Sequence, residues 1–400
     1  MKILMFHNRY RSGAPSGEDT VFESEKRLLE DAGHSVVTYQ RSNDEYREDR
    51  WSDRIAVARG LLTSRKVMRS IEHLIARERP DVAHFHNTFP LIGLSGYLAC
   101  RRLGVPVVQT LHNYRWSCVA ATHFRMGTSC ELCSVRSQWR AVWHACYRSS
   151  RLGSLLVARL IRRNFDLALR GGLVDRYLAL TQFARDRLVE SGVPENRVVI
   201  KANFVDMSLV RPTELGDLRD RPYVVFSGRL SEEKGLRVLL SAWQSMAHVP
   251  LMILGDGPLR QELQRFAADR HLNVTFHGNL PRAEATRLVA GASCLVVPSL
   301  WFEGMPMVVL EAWALGVPVV GSRIGGVAEL LENDVRGLSF NPGDLNEMRR
   351  QVLSVLSEES VRRRLIHAGF EAVRERSAKS SLQQLEATYQ AVIRERGVLS

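Results

Sequence analysis

The sequence contains little lysine and no hydrophobic run long enough to cross a bilayer. Only 6 of its 55 basic residues are lysines, so the formal net charge of +12 is carried mainly by arginine. A membrane span needs about 18 to 20 mostly apolar residues. The best candidate, LGSLLVARLI, is interrupted by Arg159 and followed by Arg162 and Arg163. The sequence also has no segment typical of a signal peptide, because MKILMF is typical of a short first strand. We therefore predict a cytoplasmic protein.

The sequence also lacks the signatures of the common nucleic-acid-binding folds. No zinc-finger, homeodomain or aromatic-basic RNA motif accompanies the positive charge. A basic surface attracts nucleic acid, anionic lipid and phosphorylated ligands alike. The charge alone does not choose among them, and a nucleic-acid binder remains an alternative that DNA binding without nucleotide binding would favour.

Short apolar runs alternate with helical patterns along most of the chain. Five runs of the N-terminal half predict strands, namely KILMF, SVVTY, DVAHF, VPVVQTLH and RYLAL. Five more follow residue 206, namely YVVFSG, LMILGD, VTFHG, CLVVP and PVVGS. Strands that alternate with helices predict parallel sheets covered on both faces. With 400 residues, the chain is expected to form two doubly wound α/β domains, with the break near the polar segment 210–222.

Ligands of such sheets bind beyond the carboxyl ends of the strands, so the motifs directly after strands are the candidate sites. In WFEGMPMVVLEAWALG, Glu303 follows a strand and Pro306 suits the first turn of a helix that carries Glu311. Free backbone amides at this helix start, at Gly304, Met305 and Met307, would bind a phosphate. Glutamates beside a phosphate site are good acceptors for sugar hydroxyls. The alternative is that Glu303 only complements the helix dipole and that Glu311 faces water.

Other strand ends of the same half carry further candidates. SGRLSEEKG places Arg229 and Lys234 before a helix, where two cations could stabilise a diphosphate leaving group, although each could equally be a solvated surface charge. LGDGPL supplies a glycine turn, and SRIGGVAELL supplies Gly325 and Gly326 before another helix.

In these motifs, residues 223–340 resemble the donor-binding half of a GT-B glycosyltransferase of the retaining family 4. The resemblance implies that Arg229 and Lys234 hold the diphosphate, that Glu311 holds the ribose, and that Glu303 contacts hydroxyls of the donor sugar. It places base contacts around Gly278 and Leu280. It implies a nucleoside diphosphate sugar as donor, transfer of a hexose-type unit with retention, and no metal for catalysis, which agrees with the absence of a DxD-like motif at a strand end.

The N-terminal half fits the same resemblance as the acceptor-binding domain, residues 1–205, followed by a donor-binding domain, residues 206–380. A C-terminal helix at about 380–400 is expected to be able to pack back on the first domain. Gly17 and Glu18 in RSGAPSGEDT match the glycine-rich loop of the family and are predicted donor contacts, although this loop is longer and poorer in glycine. His112, at the end of a strand, is the predicted catalytic histidine. Asn113 stands where many members carry Asp.

Four cysteines form a second cluster, Cys118, Cys130, Cys133 and Cys146, with CELC in the middle. A reducing compartment should keep them as thiols, and their spacing suits a structural zinc site. Unligated thiols and disulfides are the alternatives.

The arginine-rich segment 147–172 is partly amphipathic and could lie on an anionic membrane surface, although its arginines could equally face water. A membrane location at the inner face would favour a lipid-linked or polysaccharide-precursor saccharide as acceptor. The alternatives are a soluble acceptor, such as a natural product or a sugar phosphate, and a catalytically silent GT-B binding module. A silent module would normally have lost Glu303, Arg229 or Lys234, and all three are present.

Overall fold

The computed structural model describes residues 1–10, 16–46, 63–133, 137–205 and 222–399. The chain divides into two compact units. Unit 1 comprises Met1–Ala121, Glu131–Ala202 and Lys379–Ser400, and unit 2 comprises Thr122–Cys130 and Asn203–Ala378. The segment Thr122–Cys130, which we predicted within the first domain, belongs to unit 2. Nearly all of the predicted linker 210–222 lies outside the described residues, as does Gly13 of the glycine-rich loop.

Unit 1 is built on a six-stranded parallel sheet. Its strands, numbered in chain order through both units, are β1 (Lys2–Arg9), β2 (Ser35–Ser42), β3 (Val82–Phe85), β4 (Val107–Leu111), β7 (Arg176–Ala179) and β8 (Val198–Ile200). Their order in the sheet is β2-β1-β3-β4-β7-β8. Buried residues of these strands form the core, as the apolar runs predict, but the last strand was not predicted.

Four helices of unit 1 begin at a residue whose side chain caps the helix. Ser16 caps the first helix through a reciprocal capping box with Asp19, and Ser64, Ser150 and Thr181 cap three others. The helices are α1 (Gly17–Asp31), α2 (Arg65–Glu78), α3 (Gly93–Arg102), α4 (Trp139–Trp143), α5 (Arg151–Gly171) and α6 (Gln182–Glu190). The described residues of unit 1 also form two 3-10 turns, Asn43–Glu45 and Glu195–Arg197.

Unit 2 is built on a second six-stranded parallel sheet. Its strands are β9 (Val224–Ser227), β10 (Leu251–Leu254), β11 (Val274–Gly278), β12 (Cys294–Val297), β13 (Val319–Ser322) and β14 (Leu338–Phe340). Their order is β11-β10-β9-β12-β13-β14. A short antiparallel hairpin, β5 (Phe124–Arg125) and β6 (Thr128–Ser129), also belongs to this unit.

Helices follow the strands of unit 2 and bury apolar residues against the sheet. They are α7 (Leu236–Trp243), α8 (Arg260–Asp269), α9 (Arg282–Ala290), α10 (Met307–Ala314), α11 (Gly325–Leu331), α12 (Leu345–Ser357) and α13 (Glu359–Glu375), and the 3-10 turn Glu232–Lys234 precedes α7. The expected fold class, α/β with two doubly wound parallel sheets, is confirmed.

The last helix, α14 (Ala378–Leu399), packs on unit 1. Its buried residues Leu385, Tyr389 and Val392 join the core formed by Ile3, Met5 and their neighbours. Tyr389 Oη lies 2.7 Å from His84 Nδ1, which ties the helix to β3.

Candidate active site

The strand order of unit 2 reverses between β9 and β12, and this position is where a doubly wound sheet binds ligands. The loop after β9 carries Arg229 and Lys234, and the loop after β12 carries Glu303. Arg229 is exposed. The sheet topology therefore brings the two predicted cations and the first glutamate to one end of the sheet.

Lys234 and Glu303 form an ion pair at this switch point. Lys234 Nζ donates to Glu303 Oε1 over 2.7 Å, and Ser299 Oγ donates to the same oxygen over 2.6 Å. Glu303 is buried, with 5% of its surface exposed, so its charge needs these partners. Lys234 also lies 5.3 Å from the ring centre of Trp301. The sequence did not indicate Ser299, since a serine at a strand end has no distinctive pattern.

Two glycines let these loops approach one another closely. A Cβ on Gly326 would lie 1.9 Å from the carbonyl oxygen of Gly304, and the Gly326 amide donates to the Glu303 carbonyl over 3.0 Å. A Cβ on Gly235, which has φ +72°, would lie 1.9 Å from the carbonyl oxygen of Pro298. Only glycine fits at either position. The Gly325–Gly326 pair therefore supports the loop that carries Glu303.

The predicted phosphate-binding amides lie at the start of α10. Pro306 is its N-cap, one residue before the predicted position, and no side chain caps the helix. The backbone amides of the first turn are therefore not occupied by a capping side chain, which suits an anion. Met307 is the first helical residue, and Gly304 and the buried Met305 precede it.

Glu311 lies in the second turn of α10 and lines a small cavity of about 70 Å³ with Ser227 and Arg282. Burial raises the pKa of Glu311, and the nearby charge of Arg282 opposes this effect. Gly278 ends β11, the edge strand separated from β9 by β10, and its carbonyl accepts from the Gly255 amide over 2.8 Å. Leu280 follows it, half-buried. The predicted base contacts thus lie two strands away from the Lys234–Glu303 pair.

In unit 1, the predicted residues after β1 and β4 come together. Asn113 Nδ2 donates to Glu18 Oε1 over 2.7 Å, and His112 Nε2 lies 2.9 Å from His86 Nδ1. Burial raises the pKa of Glu18. Burial, with the charges of His7 and Lys201, lowers the pKa of His112 to about 3, so His112 is neutral near pH 7. Gly17 is exposed at the start of α1.

A cavity of about 120 Å³ lies beside these side chains within unit 1. Its polar lining residues include Glu18, His86, His112, Asn113 and Arg115, and most of the others are apolar residues of the core, among them Leu94, Tyr97, Leu111, Leu160, Ile161 and Val174. Arg115, which the sequence did not indicate, donates to the Val119 carbonyl over 2.6 Å, and its guanidinium lies 4.3 Å from the ring centre of Phe89. The cavity can hold a ligand with both hydroxyl groups and an apolar part.

An exposed aromatic and basic patch lies on α4 and the start of α5. Trp139 and Trp143 are each 64% exposed and Leu152 is 69% exposed, and exposed arginines surround them, namely Arg140, Arg148 and Arg151. The apolar face of α5, with Val157, Ala158 and Ile161, is instead buried against α4. The basic helix therefore cannot present that face to a membrane, and the exposed apolar residues lie at its start.

The predicted zinc ligands are not assembled. Within the described part of the chain, the only group of three or more ligand side chains close enough to share an ion is Glu25, His84 and His86. The four cysteines are not in such a group, so their placement does not support the zinc site, which stays a prediction. The same part of the chain contains no helix long and apolar enough to cross a membrane.

Comparison with known families matches both halves of the chain. Residues 16–209 match the family described as Glycosyltransferase Family 4, and residues 213–372 match Glycosyl transferases group 1. The sulfoquinovosyl transferase SQD2 of Arabidopsis thaliana is 25% identical over 301 residues, which are 72% of this chain and 52% of that protein. The lipopolysaccharide core biosynthesis glycosyltransferase LpsE of Rhizobium meliloti is 28% identical over 235 residues, 58% of this chain and 66% of that protein. The chain thus matches only about half to two thirds of the length of these two relatives.

A solved structure matches nearly the whole chain. The crystal structure of Anabaena HepE in complex with UDP and glucose superposes with a TM-score of 0.71 at 20% identity, covering 98% of this chain and all (100%) of that one. This similarity confirms the GT-B fold that the sequence motifs predicted.

Proposed function

Because the chain belongs to the GT-B glycosyltransferases of family 4, we propose that it transfers a hexose-type sugar, with retention, from a nucleoside diphosphate sugar to a saccharide acceptor. The observation that carries the proposal is the Lys234–Glu303 ion pair at the switch point of the second sheet. It places a cation for the diphosphate beside a carboxylate for sugar hydroxyls.

The donor is bound by unit 2 in this proposal. Lys234, the exposed Arg229 and the first amides of α10 neutralise the diphosphate, and Glu303 accepts hydrogen bonds from the sugar. Glu311 accepts from the ribose. It lines the small cavity beside Ser227, where burial raises its pKa and where a hydrogen bond from a hydroxyl is worth more than in water. The HepE structure, a complex with UDP and glucose, supports a nucleotide sugar as the donor class.

Transfer with retention needs no protein nucleophile in this scheme. The bond between the anomeric carbon and the diphosphate breaks, and the bond to the acceptor oxygen forms on the same face. The departing diphosphate oxygen takes the acceptor's proton, while Arg229, Lys234 and the α10 amides stabilise the charge on the diphosphate. These cations take the part that a metal ion plays in other transferases.

The acceptor binds to unit 1, and the cavity beside His112 supports an acceptor with an apolar part. A lipid-linked saccharide has hydroxyl groups for the polar lining residues and an apolar portion for the apolar ones. The exposed Trp139 and Trp143, with their flanking arginines, would hold the enzyme at an anionic membrane surface where such an acceptor resides.

The membrane part of the proposal can be tested by sedimentation with vesicles. The wild type should bind vesicles that contain anionic lipid, and the double variant Trp139→Ser/Trp143→Ser should bind at least about tenfold more weakly. Val335→Ser, at a residue 51% exposed in unit 2, is the matched control and should bind like the wild type. Equal binding of all three proteins would remove the patch from the proposal.

The donor assignment is tested by thermal shift with a panel of UDP-, GDP- and ADP-sugars. A ligand at 100 times its Kd stabilises the folded protein by about 2.7 kcal/mol. One base should raise the Tm clearly, and Lys234→Ala should abolish that shift. The anomeric configuration of the product, read by NMR, then decides between retention and inversion. A protein that binds no nucleotide sugar of the panel would contradict the proposal.

A further inference from the structure

A buried chain of polar groups connects α1 to His112. Lys201 donates to Glu25 Oε1, and both side chains are completely buried. Glu25 Oε2 lies 3.4 Å from His86 Nε2, and His86 Nδ1 lies 2.9 Å from His112 Nε2. These polar groups come from α1, from the loops after β3 and β4, and from the end of β8, so no sequence pattern reveals their connection.

The ion pair of Lys201 and Glu25 determines the positions of the protons on the two histidines. Lys201 and Glu25 form an ion pair, and the carboxylate of Glu25 can only accept hydrogen bonds. Among the described residues, neither Glu25 Oε2 nor His86 Nε2 has a hydrogen-bond partner, and the two atoms lie 3.4 Å apart. A proton on His86 Nε2 makes this contact attractive, whereas a lone pair there would face the carboxylate oxygen. His86 Nδ1 is then an acceptor in the neutral ring, so His112 Nε2 must carry the proton that lies between the two rings.

We propose that His86, oriented by Glu25, is a positioning residue that fixes His112 as the Nε2–H tautomer and leaves Nδ1 of His112 as a hydrogen-bond acceptor for a substrate hydroxyl. This inference rests on the proposed function, because it deepens the role of His112 in sugar transfer. His86 and His112 both line the cavity of unit 1, but His86 is buried and His112 is half-buried, so the ring of His112 is the more accessible of the two to a ligand.

The same side chains do not suit a metal ion. Glu25, His84 and His86 bring ligand atoms within 4.8 Å of one another, but the Lys201 ammonium already occupies Glu25. Both ring nitrogens of His84 are used, at 2.8 Å from Thr110 Oγ1 and at 2.7 Å from Tyr389 Oη. A cation here would displace these bonds and lie close to a positive charge.

The decisive measurement is the ¹⁵N NMR signal of the His112 ring in the whole protein. We expect a protonated Nε2 and an unprotonated Nδ1 in the wild type, and a mixture of tautomers in His86→Leu. His86→Asn, whose amide oxygen takes about the position of Nδ1 and can accept from His112, should keep the wild-type tautomer. A His112 that is protonated at Nδ1 in the wild type, or zinc bound by this group, would overturn the inference.

Kinetics give a second, independent readout. His86→Leu should lower kcat by about 100-fold with little change in the KM of the donor, and His86→Asn should recover most of that loss. His84→Leu is the matched control, since it makes the same exchange in the nearby buried histidine, whose hydrogen-bond partners are Thr110 and Tyr389 and not His112. Equal losses of kcat in His84→Leu and His86→Leu would reduce His86 to a structural role. A wild type that transfers no sugar would refute the proposed function but would leave the NMR result to decide the tautomer.

Discussion

Lys234 and Glu303 are 69 positions apart in the sequence, yet their side chains meet at 2.7 Å. Each follows a strand at the point where the order of the second sheet reverses. Ser299 Oγ donates to the same oxygen of Glu303 as Lys234 does. Because this oxygen accepts from two donors, the orientation of the whole carboxylate is fixed. Because hydrogen bonds already hold these side chains in place, they need little rearrangement when a charged ligand binds.

Lys234→Ala and Glu303→Ala are each expected to abolish turnover while leaving the fold intact. Removing one group that stabilises charge in the transition state typically lowers kcat by about 100-fold to 1,000-fold, which corresponds to about 2.7–4 kcal/mol of activation free energy. The measurement is the initial transfer rate together with circular dichroism. Glu303→Gln is the matched control, because it keeps the hydrogen bonds of one oxygen but loses the charge, and its rate should lie between those of the wild type and Glu303→Ala. Wild-type rates in folded Ala variants would remove both residues from the site.

Gly326→Ala is expected to weaken donor binding by displacing the Glu303 loop. The new Cβ would lie 1.9 Å from the Gly304 carbonyl, a distance that only backbone movement can relieve. Donor affinity should fall by about tenfold or more, with a loss of stability of about 1–3 kcal/mol. Gly397→Ala in α14 is the control, since a Cβ there meets nothing within 4 Å, and it should leave donor affinity unchanged. Calorimetric titration with the nucleotide sugar measures both variants, and equal affinities would contradict the role assigned to Gly326.

The strands and the residues at their ends could be predicted because their signal is local. Runs such as YVVFSG and CLVVP become β9 and β12, and topology then brings Lys234 to Glu303 without further information. The burial of Glu25 with Lys201 could not be predicted, since these residues are 176 positions apart and neither follows a recognisable motif. Strand β14 was missed because LSF is too short for a periodic pattern. The exposed Trp139 and Trp143 were missed because tryptophans are expected in a core.

The buried histidines should make the protein sensitive to acid. Burial lowers the pKa of His84 and of His86 well below the usual value of about 6.5, with further lowering by nearby positive charges. Each group therefore contributes stability that is fully present above pH 6.5, where the unfolded chain is neutral too, and that is lost as the pH falls and unfolding takes up a proton.

The urea concentration at the midpoint of unfolding should accordingly decrease as the pH is lowered from 7.5 to 5. His86→Asn removes one of these titrating groups. The free energy of unfolding should then change less steeply with pH, by at most about 1.4 kcal/mol per pH unit. His73→Asn, at an exposed position of α2, should leave the slope unchanged. A wild-type midpoint that does not move over this range would show that the buried histidines do not control acid stability.

The contact between Tyr389 and His84 should set how firmly the C-terminal helix is held. Both residues are completely buried, and Tyr389→Phe keeps the ring but leaves His84 Nδ1 without its partner. An unsatisfied buried polar atom costs about 1–3 kcal/mol, so urea titration followed by circular dichroism should show a loss in that range. Gln390→Ala changes the adjacent, exposed residue of the same helix and should cost less than about 0.5 kcal/mol. If both variants lost the same amount, the hydrogen bond would not hold α14, and apolar packing by Leu385 and Val392 would account for its attachment.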